Sequence, residues 1–201
     1  MKDRSKLLER RFSVETRAVD PPEEGGQKEL YVEGYAAVFD DSTVLFSMDG
    51  VDYQEEIASG AFDAAKMDDV IFNYNHGGKV MARTRNKTLE LKCDDKGLKV
   101  RARLDGTEEG RRLYDEIQGG YIDRMSFAFT VEQEAYNEAE HKWTVQKVKR
   151  LFDVSAVDIP AYDDTSIEAR KGAILEAVAQ EKKRHAAEAA LAKRRLEIKL
   201  S

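Results

Sequence analysis

Short segments of alternating apolar and polar or small residues follow one another from Leu30 to Val157, and no long apolar run interrupts them. Alternation sends successive side chains to opposite faces, so each segment is built to bury one face of a sheet. LYVEGYAAVF opens the series, with Gly34 marking a bulge or a close backbone approach. YQEEI (Tyr53 to Ile57) is a short strand, and VIFNYN (Val70 to Asn75) is a buried-type strand that stops at His76-Gly77-Gly78. TLELK and GLKVRARL flank Cys93 to Lys96 and read as a hairpin with Gly97 at its turn. MSFAFTVEQ, WTVQKVK and LFDVSAV are three further strands, and Pro160 ends the run. Two short helices interrupt the strands. Ser59 is placed to cap SGAFDAAK, and Thr107 caps a helix with Glu108 and Glu109 in its first turn. Leu113, Tyr114 and Ile117 form the apolar stripe of that second helix, and Gly119-Gly120 stops it. Many short strands with two short helices predict an α+β chain, mainly antiparallel, forming a compact barrel or sandwich.

The flanks differ from this body. Residues 1–28 are polar and contain Pro21-Pro22-Glu23-Glu24-Gly25-Gly26, a flexible connector signature. Residues 167–201 are rich in Ala, Glu, Lys, Arg and Leu without proline and read as one long helix, although Glu181 and His185 interrupt its apolar seam. The expected division is therefore 1–28 as a flexible segment, 29–166 as the folded domain, and 167–201 as a charged helical tail. The net charge of -6 is uneven. From Glu168 onward nine Lys/Arg stand against five Glu, or +4, which leaves -10 for the rest. An acidic body with a basic tail points to two surfaces, or to a merely solvated helix.

Several function classes drop out. No apolar run approaches the roughly 18 residues needed to cross a bilayer, and no apolar stretch follows the basic N-terminus as a secretory signal requires. One cysteine, Cys93, makes no internal disulfide and points to a reducing cytoplasm. Three scattered histidines with one cysteine argue against a structural metal, and no cofactor is implied. The glycine pairs fit no nucleotide fingerprint, the GxSxG elbow is missing, and the body has no basic patch with interleaved aromatics for nucleic acid.

Three residues can carry chemistry. In MSFAFTV, Met125, Phe127, Phe129 and Val131 share one face, and Ser126, Ala128 and Thr130 share the other. The large face anchors the strand and the small face leaves room for a substrate backbone, which suits a nucleophile; a serine in a strand is nevertheless most often a small packed residue. His76 ends a buried strand ahead of two glycines, where an imidazole can project into a groove and move a proton, or sit as an ordinary turn histidine. Asp153 lies in LFDVSAV on the face of Leu151, Ser155 and Val157, and a carboxylate in so apolar a strand is costly unless paired. Its partner is either a histidine it orients or an arginine such as Arg124 or Arg150. His141 and His185 have no such context.

Taken in order, GYAAVFD, EEIASGAF, FNYNH, ARTRNKTLEL, GLKVRARL, MSFAF and LFDVSAVDIPAYDDTS resemble the caudoviral prohead proteases, which are similar in turn to the herpesvirus assemblins. The resemblance spans roughly Leu30 to Ser166. It implies a closed β-barrel with a few surrounding helices and a serine endopeptidase centre. The family's histidine falls on His76, its serine on Ser126 and its acidic residue on Asp153. Arg83, in ARTRN, and Ala128 are the expected aids to substrate or oxyanion. Ala128 replaces the usual glycine of SFGF, and Gly77 stands where an acidic residue usually follows the histidine. The implied substrates are the major capsid protein with its scaffolding segment, and the chain itself, cut inside a procapsid in the host cytoplasm. The tail then serves for targeting or is removed by self-cleavage, and a homodimer or higher oligomer is compatible with the resemblance. The alternative is a catalytically inactive scaffold or assembly chaperone that binds capsid protein through the tail.

Overall fold

The computed structural model describes residues 8–12 (backbone only), 17–19, 29–48 and 50–158. The strands are β1 (Leu8–Phe12), β2 (Arg17–Val19), β3 (Tyr31–Val38), β4 (Thr43–Met48), β5 (Val51–Ile57), β6 (Ile71–Tyr74), β7 (Gly77–Arg83), β8 (Leu89–Cys93), β9 (Gly97–Arg103), β10 (Arg124–Asn137) and β11 (Lys142–Val157), with one α-helix, α1 (Glu108–Gln118). They form two sheets. The smaller has the order β2-β3-β9-β8. The larger runs β1-β10-β11-β5-β4, with the β6–β7 hairpin joined to it through β11.

β11 is the spine of the larger sheet. It pairs antiparallel with β10 along its length. Its first residues pair in parallel with β5, and Asp153 to Ala156 pair in parallel with Ile71 to Tyr74 of β6. Side chains of both sheets fill one core, with Val32, Leu98, Val100 and Ala102 from the smaller and Phe72, Phe127, Phe129, Leu151 and Val154 from the larger all fully buried. Phe127 stacks on Phe129 with ring centroids 4.7 Å apart and tilts against Phe62 at 6.0 Å. This packing fixes β10 from the side opposite Ser126.

The mostly-sheet expectation is met, and several finer ones are corrected. Among the described residues the strands form two separate sheets, and neither hydrogen-bonded order closes into a barrel. The pairings of β11 with β5 and β6 are parallel, so the sheet is mixed. One α-helix is present among the described residues, not several. SGAFDAAK makes a succession of turns, because Gly60 takes φ +80° and stops a helix from propagating, while Ala61 and Phe62 go into the core. α1 follows its sequence signals. Thr107 Oγ1 accepts the Gly110 N–H at 2.9 Å, Glu108 and Glu109 occupy the first turn, and Leu113, Tyr114 and Ile117 are buried. WTVQKVK and LFDVSAV are one continuous strand. β1 and β2 fall within residues 1–28, and the Pro21 to Gly26 stretch lies outside the described residues. The expected C-terminal helix, residues 167–201, lies outside the described residues.

Candidate active site

Ser126 sits on β10 between two neighbours, opposite Arg11 of β1 on one side and Ser155 of β11 on the other. Asp153 is two residues before Ser155 and pairs with Ala128 across β10. Residues two apart on a strand share a face, so Asp153 and Ser155 emerge on the side toward which Ser126 points. The small Ala128, fully buried, adjoins Ser126 on this face as the alternation predicts.

His76 arrives from the third direction. The β6–β7 hairpin closes with Tyr74 paired to Gly77, leaving Asn75 and His76 as a two-residue turn. Both take positive φ, +48° and +55°, the pattern of a type I′ turn. Asn and His are among the side chains that tolerate this region best, yet a left-handed histidine still needs external support. Asn75 supplies part of it, since its N–H donates to the Ala156 carbonyl at 3.0 Å. The His76 N–H donates to Ser155 Oγ at 3.2 Å. The parallel pairing of β6 with β11 thus carries the hairpin tip over the end of β11.

The three side chains meet there. His76 Nε2 lies 2.6 Å from Ser126 Oγ, and His76 Nδ1 lies 2.7 Å from Asp153 Oδ1. An ionised carboxylate only accepts, so Nδ1 carries the hydrogen and the Nε2 lone pair is left to accept the Ser126 hydroxyl. Ser126 is 0% exposed, and the side chains of His76 and Asp153 are 5% and 13% exposed. Such burial strengthens charge interactions within the trio. The arginines considered as partners of Asp153 are engaged elsewhere. Arg124 pairs with Asp123 at 3.5 Å, and the Arg150 guanidinium lies over the Phe152 ring at 5.1 Å.

Arg83 stands apart. It is the residue of β7 paired with Ile71, at the other end of the hairpin from His76. Its Nε and Nη2 donate to the two carboxylate oxygens of Asp69 at 2.6 and 2.7 Å, and this guanidinium holds the Asp69 carboxyl below its ordinary range. Two residues at the centre escaped the sequence reading, Ser155 and Asn73. Their signals were present: Ser155 shares a face with Asp153, and Asn73 is a polar residue inside an otherwise buried strand. Among the described residues no group of three or more His, Cys, Asp or Glu is arranged to hold a metal, and no helix is long and apolar enough to cross a membrane.

Residues 12–181 match the sequence profile of the caudovirus prohead serine proteases, well over half of the chain. The chain belongs to that family. No curated protein sequence matches it significantly. The fold of this prohead protease is similar to that of the bacteriophage T4 capsid assembly protease, gp21, with a TM-score of 0.53 at 16% identity, covering 77% of this chain and 98% of that one. Membership makes the chain a peptidase of phage capsid maturation.

Proposed function

We propose that this peptidase is a serine endopeptidase in which Ser126 is the nucleophile, His76 its base and Asp153 the group that orients the imidazole. The observation that carries the reading is the unbroken sequence of short contacts from Ser126 Oγ through both ring nitrogens of His76 to Asp153 Oδ1, at 2.6 and 2.7 Å. In this reading Ser126 Oγ attacks the scissile carbonyl carbon while its proton passes to Nε2. The tetrahedral intermediate collapses to an acyl-enzyme, and the imidazolium returns the proton to the leaving amine. Water, deprotonated by the same nitrogen, then releases the acyl group and restores the serine hydroxyl. Asp153 offsets the positive charge that His76 carries during each half-reaction. Arg83 has its hydrogen bonds on Asp69, so the reading gives it a structural part.

The substrate we propose is the scaffolding segment of the major capsid protein, cut inside the procapsid in the host cytoplasm, together with the chain itself. Family membership supports this, as does the fold shared with a phage capsid assembly protease. The basic segment from Glu168 onward suits an acidic partner and is the part we assign to recruitment or self-removal.

Co-expression of the full chain with the capsid protein tests the reading. The parent chain shortens the capsid protein, and Ser126→Ala leaves a folded chain that shortens neither it nor itself. Continued cutting by purified Ser126→Ala removes Ser126 from the nucleophile role. Capsid assembly that requires the chain but not its serine, with no product shortened, favours the scaffold alternative.

A further inference from the structure

Ser155 is buried to 0% exposure and Asn73 to 4%, both at the centre of the larger sheet. Burying a hydroxyl and an amide costs free energy that alanine and leucine would not incur, so the two groups need a compensating task. Register brings them together. Ser155 is the Cα partner of Ser126 on β10 and of Asn73 on β6, which places its hydroxyl between the nucleophile strand and the hairpin that carries His76.

The Ser155 hydroxyl touches every non-nucleophilic part of the centre. It lies 3.0 Å from Asp153 Oδ1 and 3.2 Å from His76 Nδ1, accepts the His76 main-chain N–H at 3.2 Å, and makes a short contact with Asn73 Oδ1. One hydroxyl hydrogen serves one acceptor at a time, so it is shared between Asn73 and Asp153. In either position an oxygen lone pair remains for the His76 main-chain N–H. That bond supports the left-handed backbone of His76, which has φ +55°, from the main-chain side, while the ring is held by Ser126 and Asp153.

We propose that Ser155, anchored by Asn73, is the positioning residue of this centre. It pins the His76 main chain in its tight turn and holds the Asp153 carboxylate, so that Nδ1–H stays directed at Asp153 and Nε2 faces Ser126. The inference rests on the assignment of Ser126, His76 and Asp153 above and adds to it a residue that acts through His76 and Asp153. Ser155 reaches the imidazole on the Nδ1 side, away from the Ser126 hydroxyl, which fits orientation and not attack.

The test uses the full chain and two readouts. Single-turnover cleavage of the capsid protein by Ser155→Ala should lose about 10²-fold in rate at saturation with its half-saturating concentration little changed, the signature of misplaced catalytic groups. Nitrogen-15 NMR of the imidazole, which needs no substrate, should show the Nδ1–H tautomer dominant in the parent and mixed in Ser155→Ala. Asn73→Leu, similar in volume but without the anchor, should lose about tenfold in the same rate and stands in if Ser155→Ala does not fold. A Ser155→Ala chain within about threefold of the parent, with its tautomer unaltered, overturns the proposal. Ser126→Ala run in parallel reads the nucleophile assignment separately: if it still cuts, that assignment fails whatever the NMR of Ser155→Ala shows.

Discussion

Changing Asp153 to Asn keeps the volume of the side chain and removes its charge, which isolates what the carboxylate does for His76. In the proposed mechanism the imidazole becomes a cation during attack, with its Nδ1 2.7 Å from Asp153 Oδ1, in a pair whose side chains are 5% and 13% exposed. With the charge centres about 4 Å apart and an effective dielectric constant of about 20, the attraction is about 4 kcal/mol. An amide oxygen in the same place recovers about 1 kcal/mol as an ordinary hydrogen bond, which leaves a deficit of about 3 kcal/mol in the transition state, or roughly 10²-fold in rate. If the amide instead turns its NH2 toward Nδ1, the imidazole is driven to the other tautomer and the loss grows further. Single-turnover cleavage of the capsid protein, resolved into saturating rate and half-saturating concentration, is the assay. The loss belongs in the rate, because the cation exists only after attack begins. A folded Asp153→Asn chain within about fivefold of the parent would refute the reasoning and leave Asp153 a structural carboxylate.

The fold and its ion pairs make further predictions. Phe127→Ala empties a fully buried site between Phe62 and Phe129 and should cost about 3–5 kcal/mol in urea unfolding; a cost below about 1 kcal/mol would mean the two sheets do not pack through it. Gly97→Ala places a Cβ 2.0 Å from the Ala37 carbonyl oxygen, so β3 and β9 must part, and a stability loss of about 1–3 kcal/mol is expected; an unchanged unfolding midpoint would refute that approach. The Arg83 guanidinium holds the Asp69 carboxyl below its ordinary range, so in the folded state Asp69 stays ionised to lower pH than in the unfolded chain. Its stabilisation is therefore present above the unfolded-state value and lost as pH falls through the folded one. Asp69→Asn should be less stable than the parent at neutral pH, with the gap closing in acid, and a gap independent of pH would contradict the pairing.

Where alternation was regular the elements could be read directly. The β8–β9 hairpin, the capped helix α1 and the opposition of Phe127 and Phe129 to Ser126 all follow from local spacing and turn residues. His76, Ser126 and Asp153 were legible as candidates because each is a polar group in a segment otherwise committed to burial. What local spacing could not supply was partnership. Whether Asp153 met a histidine or Arg150 depended on which strand lay beside β11, and that strand, β6, is about 80 residues earlier and runs parallel to it. Asn73 and Ser155 gained meaning only through that pairing. The SGAFDAAK segment misled for the opposite reason, since a good cap and helix-forming alanines were overridden by Gly60 and by the burial of Phe62.

The departure of β11 from simple alternation explains both the misread boundary and the position of Asp153. Val145, Val148, Leu151 and Val154 are all buried, a spacing of three in a strand whose natural period is two. The pairing with β10 accounts for it. The register passes from Asp153 to Leu151, from Arg150 to Val148 and from Lys147 to Val145, skipping Phe152, Lys149 and Gln146 in turn. Each skipped residue is a bulge that resets which face the next one occupies, so one apolar residue in three suffices to line the core. Read as a uniform strand, WTVQKVKRLFDVSAV has no consistent inner face, and a break into two strands follows from the pattern. The last bulge, at Phe152, also sets the phase for everything beyond it. From Asp153 to Val157 the strand returns to regular alternation, with Asp153 and Ser155 on the face of Ser126 and Val154 and Ala156 in the core. A slip of one residue would exchange those sets, sending the carboxylate away from His76 and a valine toward it. The geometry of the proposed centre therefore depends on an irregularity one residue upstream of its aspartate, in a strand whose other half pairs with β5.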